Sequence, residues 1–304
     1  MGPPKSNESQ VASPANGHDA TGNTSPAIRH KMKQYWKVYS PSIESMMLSH
    51  DAPQLAGDEQ REVMNYLPQR AYAGKKVLEL GAGIGRYTSL LCDAGAGHVI
   101  AVDFMESYTK ENQRINGHRD NATMLCADVT KLNFQPQSFD LIFSNWLLMY
   151  LTNKEVDSLL QRALAWLRPG GYLFVRESCY HQSGNLKRQE NPTLYRSPLE
   201  YASIISCARA EGARYRILKT KNLVTYIKHN RNPNQLCFVA RQEPDTSTDA
   251  ASAVDHSSRV AETSALTDMA LQRIMLREAI RGKTWCSEGG KDVAEVLASR
   301  SGCV

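Results

Sequence analysis

The stretch "VLELGAGIGRY", residues 77–87, decides the fold of this chain. It begins as a short apolar run, typical of a buried strand, and continues as a glycine-rich turn that leads into a helical pattern. From Lys76 onward, similar apolar runs alternate with helical segments. This alternation indicates parallel strands that are covered by helices on both faces. We therefore predict an α/β fold with a doubly wound, mostly parallel sheet of about seven strands.

The two ends of the predicted domain differ from this pattern. The segments "RYRILKTKNLVTYIK" (residues 214–228) and "QLCFVAR" (residues 235–241) both read as strands, with the short turn "NRNPN" between them. Strands that are joined by a short turn are antiparallel, so we expect the sheet to end in a hairpin. At the other end, "HKMKQYWKVYS" (residues 30–40) has helical spacing and is expected to form an N-terminal helical lid.

Composition divides the 304 residues into three parts. Residues 1–29 are rich in Ser, Asn, Pro, Gly and Thr and are expected to be a disordered tail. Residues 30–241 form the predicted domain, and residues 242–304 read as a polar linker with a partly helical tail. No apolar run is long enough to cross a bilayer, and the net charge of +5 does not predict a nucleic-acid surface. Seven irregularly spaced cysteines favour reduced thiols and a cytoplasmic location.

The glycine turn indicates which cofactor it holds. Dinucleotide-binding turns follow G-x-G-x-x-G, and the last glycine lets helix and strand pack closely beside a pyrophosphate. Here the glycines are Gly81, Gly83 and Gly85, and Arg86 stands where that last glycine would be. Glu79, two residues before the turn, would repel a pyrophosphate but suits a cationic cofactor. S-adenosylmethionine carries an ammonium and a sulfonium charge and no phosphate, so we predict this cofactor.

Polar residues at the ends of the next predicted strands agree with that cofactor. Asp103 ends the second strand, where a carboxylate can accept hydrogen bonds from both ribose hydroxyls. Asp128 ends the third strand, beside the amide of Val129, and could accept from the adenine amino group. Asn145 ends the fourth strand on the same edge of the sheet. A nicotinamide or flavin cofactor and a domain without cofactor are the alternatives, and an acid at a strand end also serves as a helix cap.

The stretch "RESCYHQSGNLKRQENPTLYR", residues 176–196, follows the fifth predicted strand at the same edge. Its hydroxyls, amides and cations suit a small dianion better than a long polymer, although an ordinary surface loop has a similar composition. Cys179 and His181 have no partner pair at metal-ligand spacing, so no metal is expected. Methyltransferases that act on nucleic-acid bases carry a Pro-Pro-aromatic stretch after the fourth strand, and this chain has "NWLLMYL" there instead. We therefore expect no nucleic-acid substrate.

Seven segments together resemble the phosphoethanolamine N-methyltransferases, most closely the first catalytic half of tandem-domain members. The resemblance runs from about residue 30 to residue 241, and the segments are "KMKQYW", "SIESMML", "VLELGAGIGR", "MLCADVT", "DLIFSNWLLMYL", "RESCYHQSG" and "KRQENPTLYR". It implies methyl transfer from S-adenosylmethionine to the amine of phosphoethanolamine, towards phosphocholine. The alternatives are another small amine or anionic metabolite as acceptor, or a catalytically silent partner of an active homologue.

The resemblance also assigns roles to residues. It implies that the cofactor is held by Gln34, Gly81, Gly83, Arg86, Asp103, Asp128, Val129 and Asn145. It implies that the phosphate-bearing substrate is held by Ser178, Ser183, Gly184, Arg188 and Tyr195. Tyr35 matches the family's active-site tyrosine on the lid, and Tyr150 occupies the position of its proton-relay partner.

The C-terminal tail contains a further, weaker likeness. The segment "LREAIRGKTWCSEGGKDVAEVL", residues 276–297, resembles the opening of the second catalytic half of the tandem-domain members. We expect a remnant of that second domain, or a shortened form without it, in which case a second chain would carry the later methylations. The alternative is an unrelated tail.

Overall fold

The computed structural model describes residues 26–188 and 192–245. Its N-terminal part is helical, as predicted, although the first helix begins at Pro26 instead of His30. The helices before the sheet are α1 (Pro26–Lys37), α2 (Ile43–Met47) and α3 (Ala52–Tyr66), followed by a short 3-10 helix (Gln69–Ala71). The later helices are α4 (Arg86–Asp93), α5 (Glu106–Asn116), α6 (Asn153–Trp166), α7 (Pro198–Cys207) and α8 (Val224–Asn230), with 3-10 helices at Val129–Lys131 and Leu148–Tyr150.

One sheet organises this part of the chain. Its strands are β1 (Lys76–Leu80), β2 (His98–Asp103), β3 (Ala122–Cys126), β4 (Phe139–Asn145), β5 (Leu167–Ser178), β6 (Arg209–Ala210), β7 (Ala213–Asn222) and β8 (Gln235–Pro244). The strand order is β3-β2-β1-β4-β5-β8-β7-β6. Strands β1 to β5 pair in parallel, whereas β8 runs antiparallel to β5 and β7. The order reverses between β1 and β4, which leaves a crevice at their carboxyl ends, where ligands bind in such sheets.

The core lies on both faces of the sheet. Val77 and Leu78 are neighbours in β1 but belong to opposite apolar clusters, as the alternation of side chains along a strand requires. Helices α6 and α7 cover one face, and α3, α4 and α8 cover the other. Phe143 of β4 and Phe174 of β5 stack at 4.6 Å between ring centroids within the second cluster. The predicted doubly wound α/β fold is therefore confirmed.

The antiparallel end of the sheet differs from the prediction in two respects. The two-residue strand β6 makes eight strands instead of seven, and the predicted hairpin is wrong in its connection, because helix α8 lies between β7 and β8. The predicted strand segment "LVTYIK" leaves the sheet because Leu223 and Tyr226 are buried against the helical layer. Glu62 of α3 accepts the backbone N–H groups of Val224 (2.7 Å) and Thr225 (2.8 Å) and so stabilises the start of the helix.

The predicted divisions of the chain fall mostly outside the structure. Strand β8 continues to Pro244, three residues beyond the expected domain end at Arg241. The expected disordered tail, apart from residues 26–29, and the possible second-domain remnant lie outside the described residues. Within the described residues, no helix combines the length and apolar character that crossing a membrane requires.

Candidate active site

The glycine turn after β1 has the backbone that only glycine adopts readily. Gly81 and Gly83 have φ values of +72° and +56°. A Cβ on Gly81 would lie 3.1 Å from the Cβ of Leu147, so the turn also packs closely against the segment after β4. The backbone N–H of Gly83 donates to Asp103 Oδ2 at 2.9 Å. The turn is therefore fixed by its own sequence and by the neighbouring strand end.

Asp103 ends β2 as predicted and faces the turn. Its Oδ2 accepts from Gly83, and its Oδ1 accepts from the backbone N–H of Met105 at 2.9 Å. These bonds fix the carboxylate without using all its acceptor sites, which number about four. Burial raises the pKa of Asp103 to about 6. The group is therefore oriented for further hydroxyl donors and is ionised at neutral pH.

Glu79 differs from its predicted setting. It lies inside β1 with 3% of its surface exposed, and its Oε2 accepts from the hydroxyl of Thr88 at 2.5 Å. Burial raises the pKa of Glu79 to about 8, with the nearby charge of Asp103 adding to the effect. At neutral pH the carboxyl is mostly protonated and therefore mostly uncharged. The repulsion of a pyrophosphate that the sequence predicts at Glu79 is thus weak in this structure. Glu79 still lines the cavity described below.

Asp128 follows β3 and Asn145 ends β4, and the side chains of both residues already have hydrogen-bond partners. Asp128 caps the 3-10 helix after β3, because its Oδ1 accepts from the N–H (2.9 Å) and hydroxyl (2.8 Å) of Thr130. Val129 is buried beside it. Asn145 Oδ1 accepts from Arg176 Nη1 at 3.1 Å. The helix-cap alternative is thus realised at Asp128, in a residue that also lines the cavity.

A buried ion network lies beneath these strand ends. Glu59 of α3 is fully buried and accepts from Arg176 Nη1 (2.5 Å) and Arg86 Nη2 (3.3 Å). It also accepts from the hydroxyls of Tyr87 (2.9 Å) and Tyr226 (3.1 Å). Burial alone would raise the pKa of Glu59, but the charges of Arg176 and Arg86 outweigh that effect and hold it below its usual range. The network connects α3 to Arg86 directly and to Asn145 through Arg176.

These groups surround one large cavity at the carboxyl edge of the sheet. It encloses about 1150 Å³, including its opening to solvent, which is room for a nucleoside cofactor and a small substrate. Residues of helices α1 and α2, such as Met32, Trp36 and Met46, form part of its wall. The predicted residues that line it are Gly81, Gly83, Arg86, Asp103, Asp128, Val129, Asn145, Tyr150, Ser178, Ser183, Gly184 and Arg188.

Arg188 organises the side of the cavity opposite the glycine turn. Its Nη1 donates to the hydroxyl of Tyr35 at 3.3 Å and its Nη2 to that of Tyr195 at 2.8 Å. Its Nε donates to Gln182 Oε1 at 2.6 Å, and its Nη1 also reaches Thr193 Oγ1 at 3.3 Å. Tyr35 and Tyr195 do not line the cavity themselves but hold the arginine that does.

The two predicted catalytic tyrosines, Tyr35 on the lid and Tyr150 after β4, lie in one aromatic cluster around Trp36. The ring of Trp36 meets that of Tyr35 at 5.3 Å and that of Tyr150 at 5.4 Å between centroids. Burial raises the pKa of both phenols well above the usual value, and a hydrogen bond with Tyr39 adds to the effect at Tyr35. Both hydroxyls therefore stay protonated at neutral pH and can donate as well as accept a hydrogen bond.

The remaining predicted substrate residues form one wall. Ser178 Oγ accepts from Gln235 Nε2 at 2.7 Å, whereas the buried Ser183 Oγ has no hydrogen-bond partner among the described residues. Gly184 packs against the backbone carbonyl of Leu48, and a Cβ added there would overlap that oxygen. Glycine at 184 thus allows the loop to approach Leu48, at the end of α2.

Gln34 is the predicted residue that the structure leaves apart. Its side chain is exposed and lies 3.4 Å from His30 Nε2, and it does not line the cavity, so its cofactor role stays a prediction. Sequence reasoning does not single out Arg29 and Gln182, which also line the cavity, or Glu177, which accepts backbone N–H groups of the turn that leads to Tyr150. Arg29 had no signal because it lies in the segment that was assigned to the disordered tail. Glu177 and Gln182 stood inside a quoted motif, but as single polar residues with no spacing that indicated their partners.

Within residues 26–188 and 192–245, no group of three or more His, Cys, Asp or Glu side chains could hold a metal ion.

Comparison with known proteins adds independent findings. Residues 77–171 match the family model described as "Methyltransferase domain". The chain is 46% identical over 220 residues to a phosphoethanolamine N-methyltransferase of Triticum aestivum, which is 69% of this chain and 43% of that protein. It is also 46% identical over 220 residues to phosphoethanolamine N-methyltransferase 3 of Arabidopsis thaliana, which is 69% of this chain and 44% of that protein. The chain thus spans less than half the length of these two relatives.

A solved structure agrees with these sequences. Phosphoethanolamine N-methyltransferase 1 of Haemonchus contortus, in complex with phosphoethanolamine and S-adenosylhomocysteine, superposes with a TM-score of 0.69 at 28% identity. The match covers 83% of this chain and 56% of that one. By its strand order, its glycine turn and these relatives, the chain belongs to the phosphoethanolamine N-methyltransferase family and has the fold of class I S-adenosylmethionine-dependent methyltransferases.

Proposed function

We propose that this chain methylates the amine of phosphoethanolamine with S-adenosylmethionine, the first step towards phosphocholine. One observation carries the proposal: a single cavity joins the strand-end residues of a methyltransferase to an arginine held among tyrosine hydroxyls. The relative from Haemonchus contortus, which was solved with both phosphoethanolamine and S-adenosylhomocysteine, supports the pairing of these two ligands.

The residues present fit the cofactor. Asp103 offers two oriented oxygens for the ribose hydroxyls, and Asp128 and Val129 lie at the next strand end for the adenine. The narrow glycine turn and the nearby Glu79 suit the amino-acid portion, whose ammonium can donate a hydrogen bond to the carboxyl oxygen of that protonated group. When bound, S-adenosylmethionine supplies an electrophilic methyl group.

The other side of the cavity fits a small phosphate monoester. Arg188 places a guanidinium at the cavity, and its charge and N–H groups suit phosphate oxygens, which would replace some of the hydroxyl and amide acceptors that it now bonds. Ser183 adds a hydroxyl with no partner among the described residues, and Ser178 lies on the same wall. Binding energy from the phosphate can then align the distant amine with the methyl group.

Tyr150, which lines the cavity, and Tyr35, which is joined to it through Arg188, would orient the amine, and the proton that the ammonium loses would pass along their hydroxyls to water. An ammonium has no lone pair, so the substrate nitrogen must be neutral before it attacks, and a desolvated site favours that form. A protonated phenol can accept a hydrogen bond from the amine N–H and orient the lone pair. Because its pKa is raised, Tyr35 would act as a neutral hydrogen-bonding group and not as a tyrosinate base. Tyr150 is the proposed relay partner.

Two wider expectations belong to the same proposal. We propose that a second chain carries the later methylations, which methyl transfer to the monomethyl form tests. We also infer a reducing, cytoplasmic setting, because the described cysteines are free thiols. Cys179 is fully buried directly after β5, and burial raises the pKa of its thiol well above the usual value.

The experiment is methyl transfer to phosphoethanolamine and to its monomethyl and dimethyl forms. Arg188→Ala should raise KM for phosphoethanolamine about 10- to 150-fold, the effect of losing hydrogen bonds to a charged group. Tyr35→Phe should lower kcat about 100-fold, the effect of losing a positioned proton-transfer group. Arg216→Ala is the matched control, because Arg216 pairs with Glu243 on the exposed side of β7. Turnover with another amine but none with phosphoethanolamine would refute the assignment of substrate.

A further inference from the structure

The backbone that carries Tyr150 into the cavity has an unusual conformation. After β4 the chain turns at Trp146, a non-glycine residue with a φ of +56°. It then forms the 3-10 helix Leu148–Tyr150, whose residues line the cavity at Met149 and Tyr150. A left-handed backbone at a large residue persists only where the surroundings hold it. Trp146 is held by its own contacts, because its backbone N–H donates to the Arg176 carbonyl at 2.8 Å and its Nε1 to Gln235 Oε1 at 2.8 Å. Two buried charged side chains hold the turn that follows.

Glu177 holds the turn by its N–H groups. It is fully buried and accepts from the backbone N–H groups of Leu147 (3.1 Å), Leu148 (2.7 Å) and Met149 (3.3 Å). These amides are among those that a helix start leaves without intrahelical partners. Burial raises the pKa of Glu177 to about 7, against the opposite effect of the three backbone N–H groups.

Arg196 holds the same turn by its carbonyl groups. It has 2% of its surface exposed and donates from Nη1 to the Leu148 carbonyl (2.9 Å) and from Nη2 to the Leu151 carbonyl (2.7 Å). Its Nε donates to Asn153 Oδ1 at 2.9 Å. The charge of Arg196 is close enough to lower the pKa of Glu177 against the effect of burial. A carboxylate and a guanidinium thus clasp one short turn from both sides.

Each clasping residue is also next in sequence to a predicted substrate residue. Glu177 precedes Ser178, and Arg196 follows Tyr195, whose hydroxyl accepts from Arg188. The clasp therefore ties three separate pieces of chain into one frame: the turn with Tyr150, the end of β5 with Ser178, and the segment with Tyr195. Glu177 and Arg196 are not among the described residues that line the cavity, so they act through the residues that they hold.

We propose that Glu177 and Arg196 are positioning residues for the methyl acceptor, which fix Tyr150, Ser178 and Tyr195 relative to one another. The inference rests on the proposed function, because it concerns the acceptor of that reaction. It predicts that loosening the clasp weakens the binding of phosphoethanolamine more than that of the cofactor. Glu177 and Arg196 hold the turn with Tyr150 directly, whereas Asp103 ends β2 and Asp128 follows β3.

The test compares Glu177→Gln with Glu62→Gln. Glu62 is a matched control, because it also accepts backbone N–H groups at a helix start, that of α8, away from the cavity. For Glu177→Gln we expect KM for phosphoethanolamine to rise at least tenfold and kcat to fall. The Kd of S-adenosylhomocysteine should stay within twofold of the parent. Glu62→Gln should lower Tm but leave KM and kcat at the parent values.

Two further measurements separate positioning from general folding. If Glu177 acts through Tyr150, the losses in kcat/KM caused by Glu177→Gln and Tyr150→Phe should combine to less than their product in the double variant. Amide hydrogen exchange at residues 147–149 should accelerate in Glu177→Gln and not in Glu62→Gln. Should Glu177→Gln fail to fold, Arg196→Lys keeps the charge, loses the forked donors, and should show the same split between KM and Kd.

The outcomes are distinguishable. A parent chain that does not methylate phosphoethanolamine overturns the proposed function, and with it the role of the clasp in that reaction. An active parent whose Glu177→Gln variant keeps KM and kcat, or loses cofactor affinity as much as acceptor affinity, overturns the clasp alone.

Discussion

We call the part of the cavity proposed for the cofactor the cofactor half and the part proposed for the methyl acceptor the acceptor half. The two halves are built in different ways. The cofactor half consists of the glycine turn and the ends of β2, β3 and β4, and its contacts join adjacent strands, such as Gly83 with Asp103. The acceptor half consists of the lid, the loop after β5 and the turn with Tyr150. Its central bond joins Tyr35 to Arg188, 153 residues further along the chain. Sheet topology thus fixes the first half, whereas the second depends on how the lid and the loop pack.

Breaking the support beneath the cofactor half should have the largest effect on folding. Glu59→Gln would leave Arg176 and Arg86 buried without their common carboxylate. Removing one partner of a buried ion pair costs about 3–5 kcal/mol, so we expect the free energy of unfolding to fall by that amount. Urea denaturation measures it.

The neighbouring residue provides the control. Asp58 pairs with Arg61 on the surface, where the side chains are 45% and 73% exposed. Asp58→Asn should therefore change the free energy of unfolding by less than about 1 kcal/mol. Equal losses in Glu59→Gln and Asp58→Asn would contradict the importance of the buried network.

Breaking the contact between loop and lid should harm the acceptor half selectively. Gly184→Ala forces a Cβ into the Leu48 carbonyl, and overpacking of this kind costs about 1–3 kcal/mol. We expect KM for phosphoethanolamine to rise, measured by methyl transfer, while calorimetry finds the Kd of S-adenosylhomocysteine unchanged.

Gly57→Ala serves as the matched substitution. Gly57 is exposed within α3, and a Cβ there meets its nearest neighbour at an ordinary 3.7 Å. Alanine favours a helix over glycine by about 0.5–1 kcal/mol, so this variant should be slightly more stable and fully active. A loss of cofactor affinity in Gly184→Ala would show that the two halves are less separate than their contacts indicate.

The smallest expected effect is a pH dependence of S-adenosylhomocysteine binding to the cofactor half. Because the pKa of Asp103 is raised to about 6, its carboxyl gains a proton as the pH falls through that value and can accept fewer hydrogen bonds. S-adenosylhomocysteine should therefore bind more weakly below pH 6, by up to about tenfold per pH unit. Calorimetry between pH 5 and 7 tests this, a window below the pKa of about 8 at Glu79.

Asp103→Asn should bind S-adenosylhomocysteine weakly at every pH in that window, without a slope. The phenols of Tyr35 and Tyr150 have pKa values far above this range and contribute no titration of their own. A slope that persists in Asp103→Asn would assign the titration to another group.

The same contrast explains what could be predicted from the sequence. Asp103 and Asn145 follow apolar runs whose parallel pairing brings their ends to one edge, so reading the strands was enough to bring them together. The connection between β7 and β8 could not be read in this way. "LVTYIK" has strand-like residues, and only Glu62, more than 150 residues earlier, supplies the partner for a helix start.

The roles of single residues in the acceptor half come from the family resemblance, whereas the local composition of residues 176–196 indicates only a site for a small dianion. Arg188 is one cation in a polar loop, and nothing near it in sequence indicates that Tyr35 will accept from it. Glu177 looked like an ordinary charged residue at a strand end, because its partners are backbone N–H groups, which every sequence has. The residue types at 147–149 therefore do not indicate that Glu177 binds their backbone N–H groups.

The rate at which the buried thiol of Cys179 reacts can report how often its surroundings open. Cys126 and Cys207 are exposed, whereas Cys179 is sealed at the end of β5, between the core and the loop that carries Ser183. An alkylating reagent would modify the exposed pair at once and reach Cys179 only when that corner opens. The rate of slow alkylation, assigned to Cys179 by peptide mapping, thus measures how often the end of β5 opens, and no substrate is needed.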